Sequence, residues 1–262
     1  MFDLLIQGPL DNTSLQRVDH YCTEFKNIIV SHWKGDSTDA VKSNYDKLSE
    51  WGMTQGDYKG HHKTLVQITS QPLPDLNKLF FFRNDSNFFY SLASTYAGLK
   101  KCKSPYVIKM RSDEHYLNFG PLKEKFLEDT NKMVCGNIFF KKWETRPYHI
   151  GDHVFVAERE ALLKTYKTLL NFFGGKDTKD KSWAEFTYGR TPEEILANSY
   201  LTSKSCPISS WNDKKTFSKY FDVVDVNQLS PYVSRWVHGG QTYSSDGLKF
   251  VGEVLNIEDV LK

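Results

Sequence analysis

Short apolar runs alternate with amphipathic stretches along the first half of the chain. Residues 2–6 and 27–31 are rich in Leu, Ile and Val and predict buried strands, and the stretch between them predicts a helix over residues 15–25. A strand, a helix and a second strand within about 30 residues form a βαβ unit. The pattern therefore predicts two parallel strands joined by a right-handed crossover.

The alternation continues to residue 128. Residues 65–68 and 106–108 predict two more strands. Between them, residues 84–86 offer N-caps for a helix whose inward side chains recur every three or four positions, at Phe88, Leu92, Thr95, Tyr96 and Leu99. Pro121 suits the start of a helix over residues 122–128. Strands that alternate with helices predict the α/β class, with a mostly parallel central sheet flanked by helices.

The second half of the chain is less regular. It predicts helices over residues 161–173 and 192–201, and strand-like segments over residues 133–140, 154–157 and 221–226. The sequence contains no internal repeat and no low-complexity linker, so we expect residues 1–262 to form a single domain.

Composition excludes several classes of protein. The 34 Lys and Arg residues nearly balance the 32 Asp and Glu residues, which argues against a nucleic-acid partner bound through bulk charge. The four cysteines form no C-x-x-C pair, so neither a zinc site nor a redox motif is indicated. Asp3 interrupts the N-terminal apolar run, and no run of 18 apolar residues exists. We therefore expect a cytoplasmic protein with no signal peptide and no transmembrane segment.

Candidate chemistry appears where the strand at residues 106–108 gives way to Arg111, Ser112, Asp113 and Glu114. In an open α/β sheet, ligands bind in the crevice outside the carboxyl ends of the strands. A core strand that ends in carboxylates therefore places oxygen atoms where a ligand would sit, and oxygen donors suit Mg²⁺ or Mn²⁺. The alternative is a polar turn with no ligand.

Four short motifs, in this order, resemble the WavE family of lipopolysaccharide-synthesis proteins. They are the segments IQGP at residues 6–9, KMRSD at 109–113, GDHVF at 151–155 and TPE at 191–193. The resemblance implies a GT-A-like fold, with a nucleotide-binding part over residues 1–120 and an acceptor-binding part over residues 121–262. It also implies an inverting, metal-dependent glycosyltransferase that moves a hexosyl or deoxyhexosyl group from a nucleotide-diphosphate sugar to a glycan acceptor.

The metal motif of GT-A-like enzymes is usually Asp-x-Asp, and its last Asp binds the divalent ion. Here the corresponding residues are Arg111, Ser112 and Asp113. The resemblance therefore implies that Asp113 binds Mn²⁺ or Mg²⁺, while the guanidinium of Arg111 is suited to pairing with a phosphate. Position and resemblance add further donor-binding candidates beside Arg111 and Asp113, which are Gln7, Gly8, Pro9, Asn87, Ser112 and His238.

An inverting transfer needs a general base for the acceptor hydroxyl. The candidates are Glu193, Asp152 and Glu194, in that order. Thr191, Pro192 and Glu194 fit a capping box, in which the N3 carboxylate folds back to the N-cap N–H and so has a structural role. Glu193 is outside the box and matches the family pattern, so we expect it to be the base.

Two other functions fit the same residues. A nucleotidyltransferase would also use carboxylates at a strand end, although it usually has a Gly-rich basic loop after the first strand. A catalytically inactive glycan-binding module would use aromatic side chains such as Trp143, Tyr148 and Trp236. Binding of nucleotides separates that module from the two enzymes.

Overall fold

The computed structural model describes most of the central sheet and its helices. The described residues are 1–8, 20–21, 23–33, 56–58, 61–68, 85–138, 141, 146–173, 190–206 and 213–233. The predicted helix at residues 15–25 lies largely outside them, as do Pro9, Trp143, Trp236 and His238.

Within the described part of the chain, eight strands form one central sheet. Their bounds are β1 Phe2–Gln7, β2 Asn27–Trp33, β3 Gly56–Tyr58, β4 His61–Ile68, β5 Tyr106–Arg111, β7 Met133–Gly136, β8 Val154–Glu158 and β9 Phe221–Val224. Across the sheet the strands lie in the order β3-β4-β2-β1-β5-β8-β7-β9. Strand β1 runs parallel to both of its neighbours, β2 and β5, and β2 runs parallel to β4. Strand β8 is antiparallel to β5 and β7, and β3 is antiparallel to β4. The predicted α/β class with a mostly parallel sheet is confirmed.

The remaining elements surround this sheet. The helices are α1 Asp85–Leu99, α2 Gly120–Glu128, α3 Arg159–Phe173, α4 Pro192–Ser203 and α5 Lys214–Tyr220, followed by a 3₁₀ turn at Val226–Leu229. A small second sheet pairs β6 Glu114–Tyr116 with β10 Pro231–Val233. The division into a nucleotide part and an acceptor part stays a prediction.

Apolar residues of the central strands face two cores, one on each side of the sheet. Leu5 of β1 belongs to the core formed with α1, α3 and α4, while its neighbours Leu4 and Ile6 belong to the core that contains α2. Successive side chains of a strand point to opposite faces, so a strand covered on both sides is apolar at consecutive positions. This is why the short apolar runs predicted the central strands.

Some predicted bounds differ from the structure. Strand β5 continues beyond residue 108 to Arg111. Its two charged side chains are hydrogen-bonded, Lys109 to the main-chain oxygen of Asp152 and Arg111 to the carboxylate of Asp113. Strand β4 begins at His61, four residues before the predicted start, and β7 ends at Gly136 rather than at residue 140. Strand β9 ends at Val224, where the chain turns into the 3₁₀ turn.

Asp3 joins β1 to the connection that leads into β5. This carboxylate is fully buried and accepts hydrogen bonds from the main-chain N–H of Lys103 at 2.6 Å and of Ser104 at 2.9 Å. It also accepts from the Ser104 hydroxyl at 2.6 Å and from Asn27 Nδ2, at the start of β2, at 2.7 Å. A buried carboxylate is tolerated when hydrogen bonds replace its water. Asp3 therefore anchors the amino ends of three neighbouring strands.

Gly151 allows the segment before β8 to lie directly against β7. A Cβ atom at this position would stand 2.4 Å from the carbonyl oxygen of Gly136 and 2.7 Å from that of Ile138. These are backbone atoms that cannot rotate away, so a larger residue would displace the segment. The absence of a side chain at Gly151 thus sets the position of Asp152 and His153.

The predicted capping box is present at the start of α4. Glu194 N donates to Thr191 Oγ1 at 3.3 Å, and Thr191 N donates to Glu194 Oε2 at 2.6 Å. Arg146 Nη1 lies 3.4 Å from the same carboxylate oxygen. Glu194 is buried, so its carboxylate has a structural role at the helix start.

We expect Glu194→Gln to lower the free energy of unfolding by about 1 kcal/mol or less, because the amide accepts a weaker hydrogen bond and loses the charge facing Arg146. Urea or thermal melting measures the change. Glu193→Gln is the matched control, the same substitution one position earlier in the same turn. Equal destabilisation by both variants would contradict the role of the capping box.

Candidate functional site

The carboxyl ends of β1, β2 and β5 meet at one edge of the sheet. Gly8 N donates to Ser31 O at 3.1 Å, and Ser112 N donates to Gln7 O at 2.9 Å, so main-chain bonds join all three ends. Gly8 has φ +132°, a conformation that suits glycine, and a Cβ there would stand 2.6 Å from Ser112 Oγ. Two predicted donor-binding residues, Gly8 and Ser112, are therefore in direct contact.

Gln7 is held toward helix α1. Its Oε1 accepts a hydrogen bond from Ser91 Oγ at 3.2 Å. Asn87 lies in the first turn of α1, one helical turn before Ser91, so both belong to the part of the helix nearest this edge. The structure thus brings Gln7, Gly8, Ser112 and the start of α1 to the place where the sequence predicted donor binding.

Arg111 and Asp113 form a two-pronged ion pair. Arg111 Nε donates to Asp113 Oδ1 at 2.9 Å, and Nη2 donates to Oδ2 at 2.7 Å. Burial lowers the pKa of Arg111, but the hydrogen bonds and the charge of Asp113 outweigh burial and raise the pKa above its ordinary value. The guanidinium is therefore charged at every physiological pH, and both oxygens of the Asp113 carboxylate are engaged.

Asp152 lies near this ion pair, in the segment just before the antiparallel strand β8. Met110 pairs with Val154 across β5 and β8, which brings the two residues before β8 next to Arg111. The buried ammonium of Lys109 donates to the main-chain oxygen of Asp152 at 2.7 Å. Burial lowers the pKa of Lys109, while the nearby charge of Asp152 opposes that effect. Lys109 thus holds the Asp152 backbone from inside the sheet.

Glu193 reaches the same region from the first turn of α4. Its Oε2 lies 3.5 Å from His149 Nε2. The imidazole is buried, and its other nitrogen, Nδ1, has no hydrogen-bond partner among the described residues. Most buried polar atoms in folded proteins have a hydrogen-bond partner, so a substrate hydroxyl or a water molecule is a suitable partner for this nitrogen.

Asp152 and Glu193 differ in their electrostatics. Burial raises the pKa of Asp152, but Lys109 and then the three other basic side chains nearby outweigh burial and lower the pKa. Burial raises the pKa of Glu193, the negative charge of Asp152 raises it further, and His149 only partly opposes this. Two carboxyl groups whose environments push their pKa values apart are typical of acid–base sites.

A fourth carboxylate, Glu114, has its Oε1 3.9 Å from Arg111 Nε. It is 1% exposed, accepts a hydrogen bond from Tyr116 OH at 2.8 Å and pairs with His153 Nδ1. Sequence reasoning missed Lys109 as part of the site, and it noted Glu114 at the end of the strand but not its pairing with His153. A charged residue inside an apolar strand, as at Lys109, was the available signal.

Asp113, the residue predicted to bind Mn²⁺ or Mg²⁺, has its carboxylate paired with Arg111. Among the described residues, no group of three or more His, Cys, Asp or Glu side chains could hold a metal ion. Asp113 uses both oxygens on Arg111, and a cation beside it would be repelled by that guanidinium. A site of one carboxylate completed by phosphate oxygens is a different arrangement, so the metal requirement stays a prediction of the family resemblance.

Within the described residues, no helix is both long enough and apolar enough to cross a membrane.

Similar solved structures are remote. HddC from Yersinia pseudotuberculosis has 12% identity and a TM-score of 0.36, with 62% of this chain and 79% of that chain covered. A glycosyltransferase that acts in glycosylation of the PBCV-1 major capsid has 12% identity and a TM-score of 0.39, with 86% and 81% covered. The galactosyltransferase LgtC, with donor and acceptor sugar analogues, has 13% identity and a TM-score of 0.40, with 76% and 70% covered.

Sequence comparison is more informative. No curated protein matches the chain. The family model described as WavE lipopolysaccharide synthesis matches residues 4–198, well over half of the 262 residues. This stretch includes the ends of β1 and β5, the Asp152 segment and the start of α4. The match confirms the resemblance in the sequence motifs, and the chain belongs to the WavE lipopolysaccharide synthesis family.

Proposed function

We propose that this protein is a GT-A-like inverting glycosyltransferase that moves a hexosyl or deoxyhexosyl group from a nucleotide-diphosphate donor to a glycan acceptor. The observation that carries the proposal is that Asp152 and Glu193 both lie near Arg111 at the carboxyl edge of the sheet, where Glu193 Oε2 is 3.5 Å from His149 Nε2 and Asp152 Oδ1 is 3.9 Å from His153 Nε2. Membership of a lipopolysaccharide synthesis family supports a glycan as the acceptor.

In this proposal Glu193 is the general base. The acceptor hydroxyl oxygen forms a bond to the anomeric carbon, its proton moves to the Glu193 carboxylate, and the bond to the diphosphate breaks with its electron pair on the leaving oxygen. A carboxylate with a raised pKa is a stronger base near neutral pH than one with a lowered pKa. Asp152 is therefore the weaker base, and its fixed charge keeps the pKa of Glu193 raised.

The other site residues have supporting roles. Arg111 stabilises the charge that develops on the leaving diphosphate, since guanidinium groups pair well with phosphate oxygens. In this proposal Gln7, Gly8 and Ser112 bind the nucleotide end of the donor. Pro9, Asn87 and His238 stay further candidate donor contacts, predicted from the sequence. Asp113 fixes the orientation of Arg111, and any bound Mn²⁺ or Mg²⁺ would supply additional positive charge for the diphosphate.

The first test is a screen of nucleotide-diphosphate sugars, each with a lipopolysaccharide core oligosaccharide and Mn²⁺. We expect one donor to raise the melting temperature by mass action and to release nucleoside diphosphate only with the acceptor present. Pyrophosphate release from a nucleoside triphosphate and a sugar 1-phosphate would instead identify a nucleotidyltransferase. Binding of the glycan without any nucleotide binding would identify a glycan-binding module.

We expect Glu193→Gln to lower turnover by roughly 10²–10⁴-fold, the usual contribution of a general base, with donor affinity little changed. In the wild type, kcat/KM should rise with pH through a pKa above the ordinary Glu value of 4.5, because the base must lose its proton. Steady-state kinetics over pH measure both. Glu194→Gln is the control, and loss of turnover in that variant alone would reverse the two assignments. If neither variant loses turnover, Asp152 becomes the favoured base.

We expect Asp113→Asn to remove most of the activity while the melting temperature changes little, because the amide cannot hold both prongs of the Arg111 guanidinium. Excess EDTA on the wild type separates the two roles of Asp113. Loss of turnover in EDTA, restored by added Mn²⁺, would support a cation in the reaction. Full turnover in EDTA would reject a metal-bound Asp113 and leave orientation of Arg111 as its function.

A further inference from the structure

Behind the Asp152 side chain lies a buried chain of polar groups that the proposed reaction does not use. Tyr116 OH donates to Glu114 Oε2 at 2.8 Å, Glu114 Oε1 pairs with His153 Nδ1, and His153 Nε2 lies 3.9 Å from Asp152 Oδ1. Tyr116 is fully buried and His153 is 6% exposed. The chain runs from the core of the protein to the edge of the site.

The burial of this chain has an energetic cost. Removing a carboxylate from water is expensive, and a buried ion pair often adds no more stability than apolar residues of the same size. Glu114 and His153 are on separate elements, β6 and the segment before β8. Buried titratable groups beside a cleft are typical of functional sites.

The two imidazole nitrogens of His153 have different partners. Nδ1 is fixed by Glu114, which prevents the ring from turning, and Nε2 is thereby directed at Asp152. The main chain of Asp152 is fixed separately by Lys109 and by the close packing of Gly151. Only the side chain of Asp152 remains to be oriented, and His153 is placed to orient it.

We propose that His153, anchored by Glu114, is a positioning residue that holds the Asp152 carboxylate toward Glu193 and Arg111. The inference rests on the proposed function, in which the charge of Asp152 tunes the base Glu193. It assigns a role to two residues, Glu114 and His153, that do not themselves touch the reacting atoms.

Two substitutions separate positioning from a merely structural role. In His153→Asn the amide nitrogen lies near the place of Nδ1, so the bond to Glu114 is kept and the contact with Asp152 is lost. In His153→Gln the longer amide reaches the place of Nε2, so the contact with Asp152 is kept. Tyr116→Phe is the control, because it removes one hydrogen bond to Glu114 and leaves His153 in place.

We expect His153→Asn to lower kcat roughly 10- to 100-fold, the scale of effects from misplaced catalytic groups. His153→Gln and Tyr116→Phe should stay within a few-fold of the wild type, with activity expressed per folded molecule from melting curves. A purely structural role predicts the reverse order, since Asn retains the bond to Glu114. A kcat of the His153→Asn variant equal to or higher than that of the His153→Gln variant would overturn the proposal.

The pH profile gives a second readout. The charged groups that face Asp152 and Glu193 come from β5 and the segment before β8, and they are Lys109, Arg111, His149 and His153. The buried thiol of Cys135 on β7 and the buried phenol of Tyr166 on α3 also interact with Asp152. If His153→Asn frees the Asp152 carboxylate to turn away, Glu193 feels less negative charge. Its pKa then falls, so the acid limb of kcat/KM should move to lower pH. An unmoved limb would contradict the positioning role.

A measurement without turnover distinguishes failure of this proposal from failure of the proposed function. Carbon-13 NMR of labelled aspartate follows the Asp152 carboxyl, whose pKa should rise in His153→Asn relative to the wild type because a positive neighbour is lost. If no donor is turned over but this pKa rises, the transferase assignment fails and the contact stands. If donors are turned over and this pKa is unchanged, the positioning role fails.

Discussion

The buried carboxylate of Asp3 fixes the relative position of the strands on which the site depends. Its four hydrogen bonds tie β1 to the connection before β5 and to the start of β2. With the amino ends held in register, Gln7 pairs with both Ser31 and Arg111 at the other end of the sheet. A slip of one residue would turn every side chain of β1 to the opposite face. The positions of the site residues therefore depend on hydrogen bonds at the opposite end of β1.

At the carboxyl edge of the sheet the protein buries several charged side chains, each of which would lower the stability of the fold if it had no partner. Lys109 and Glu114 are nearly or fully buried, and each is stabilised by partners that also position a site residue. Lys109 supports the main chain of Asp152, and Glu114 supports His153. The same contacts that satisfy the buried charges thus make the site rigid, which is the preorganisation that electrostatic catalysis requires.

Local pattern was enough to predict much of the fold. Apolar runs predicted the central strands, and the spacing of Thr191, Pro192 and Glu194 predicted the capping box, because strand periodicity and helix caps depend on neighbouring residues. The parts that sequence reasoning missed depend on distant pairs. Glu114 and His153 are 39 residues apart, and only the antiparallel pairing of β8 with β5 brings them together. No short-range pattern marks such a pair.

The central strands also bear on how the chain avoids misassembly. The segments FDLLIQ and YVIKMR are apolar enough to associate with copies of themselves when unfolded, since short β-prone runs of low charge are the usual aggregation sites. FDLLIQ carries the charge of Asp3, and YVIKMR carries those of Lys109 and Arg111. The hydrogen bonds that satisfy Asp3 and Lys109 in the folded protein come from residues distant in sequence. In the unfolded chain, before the partner residues have packed, the like charges of identical segments repel each other and oppose their stacking, as gatekeeper residues do. The residues that lock the finished sheet therefore also protect the nascent chain.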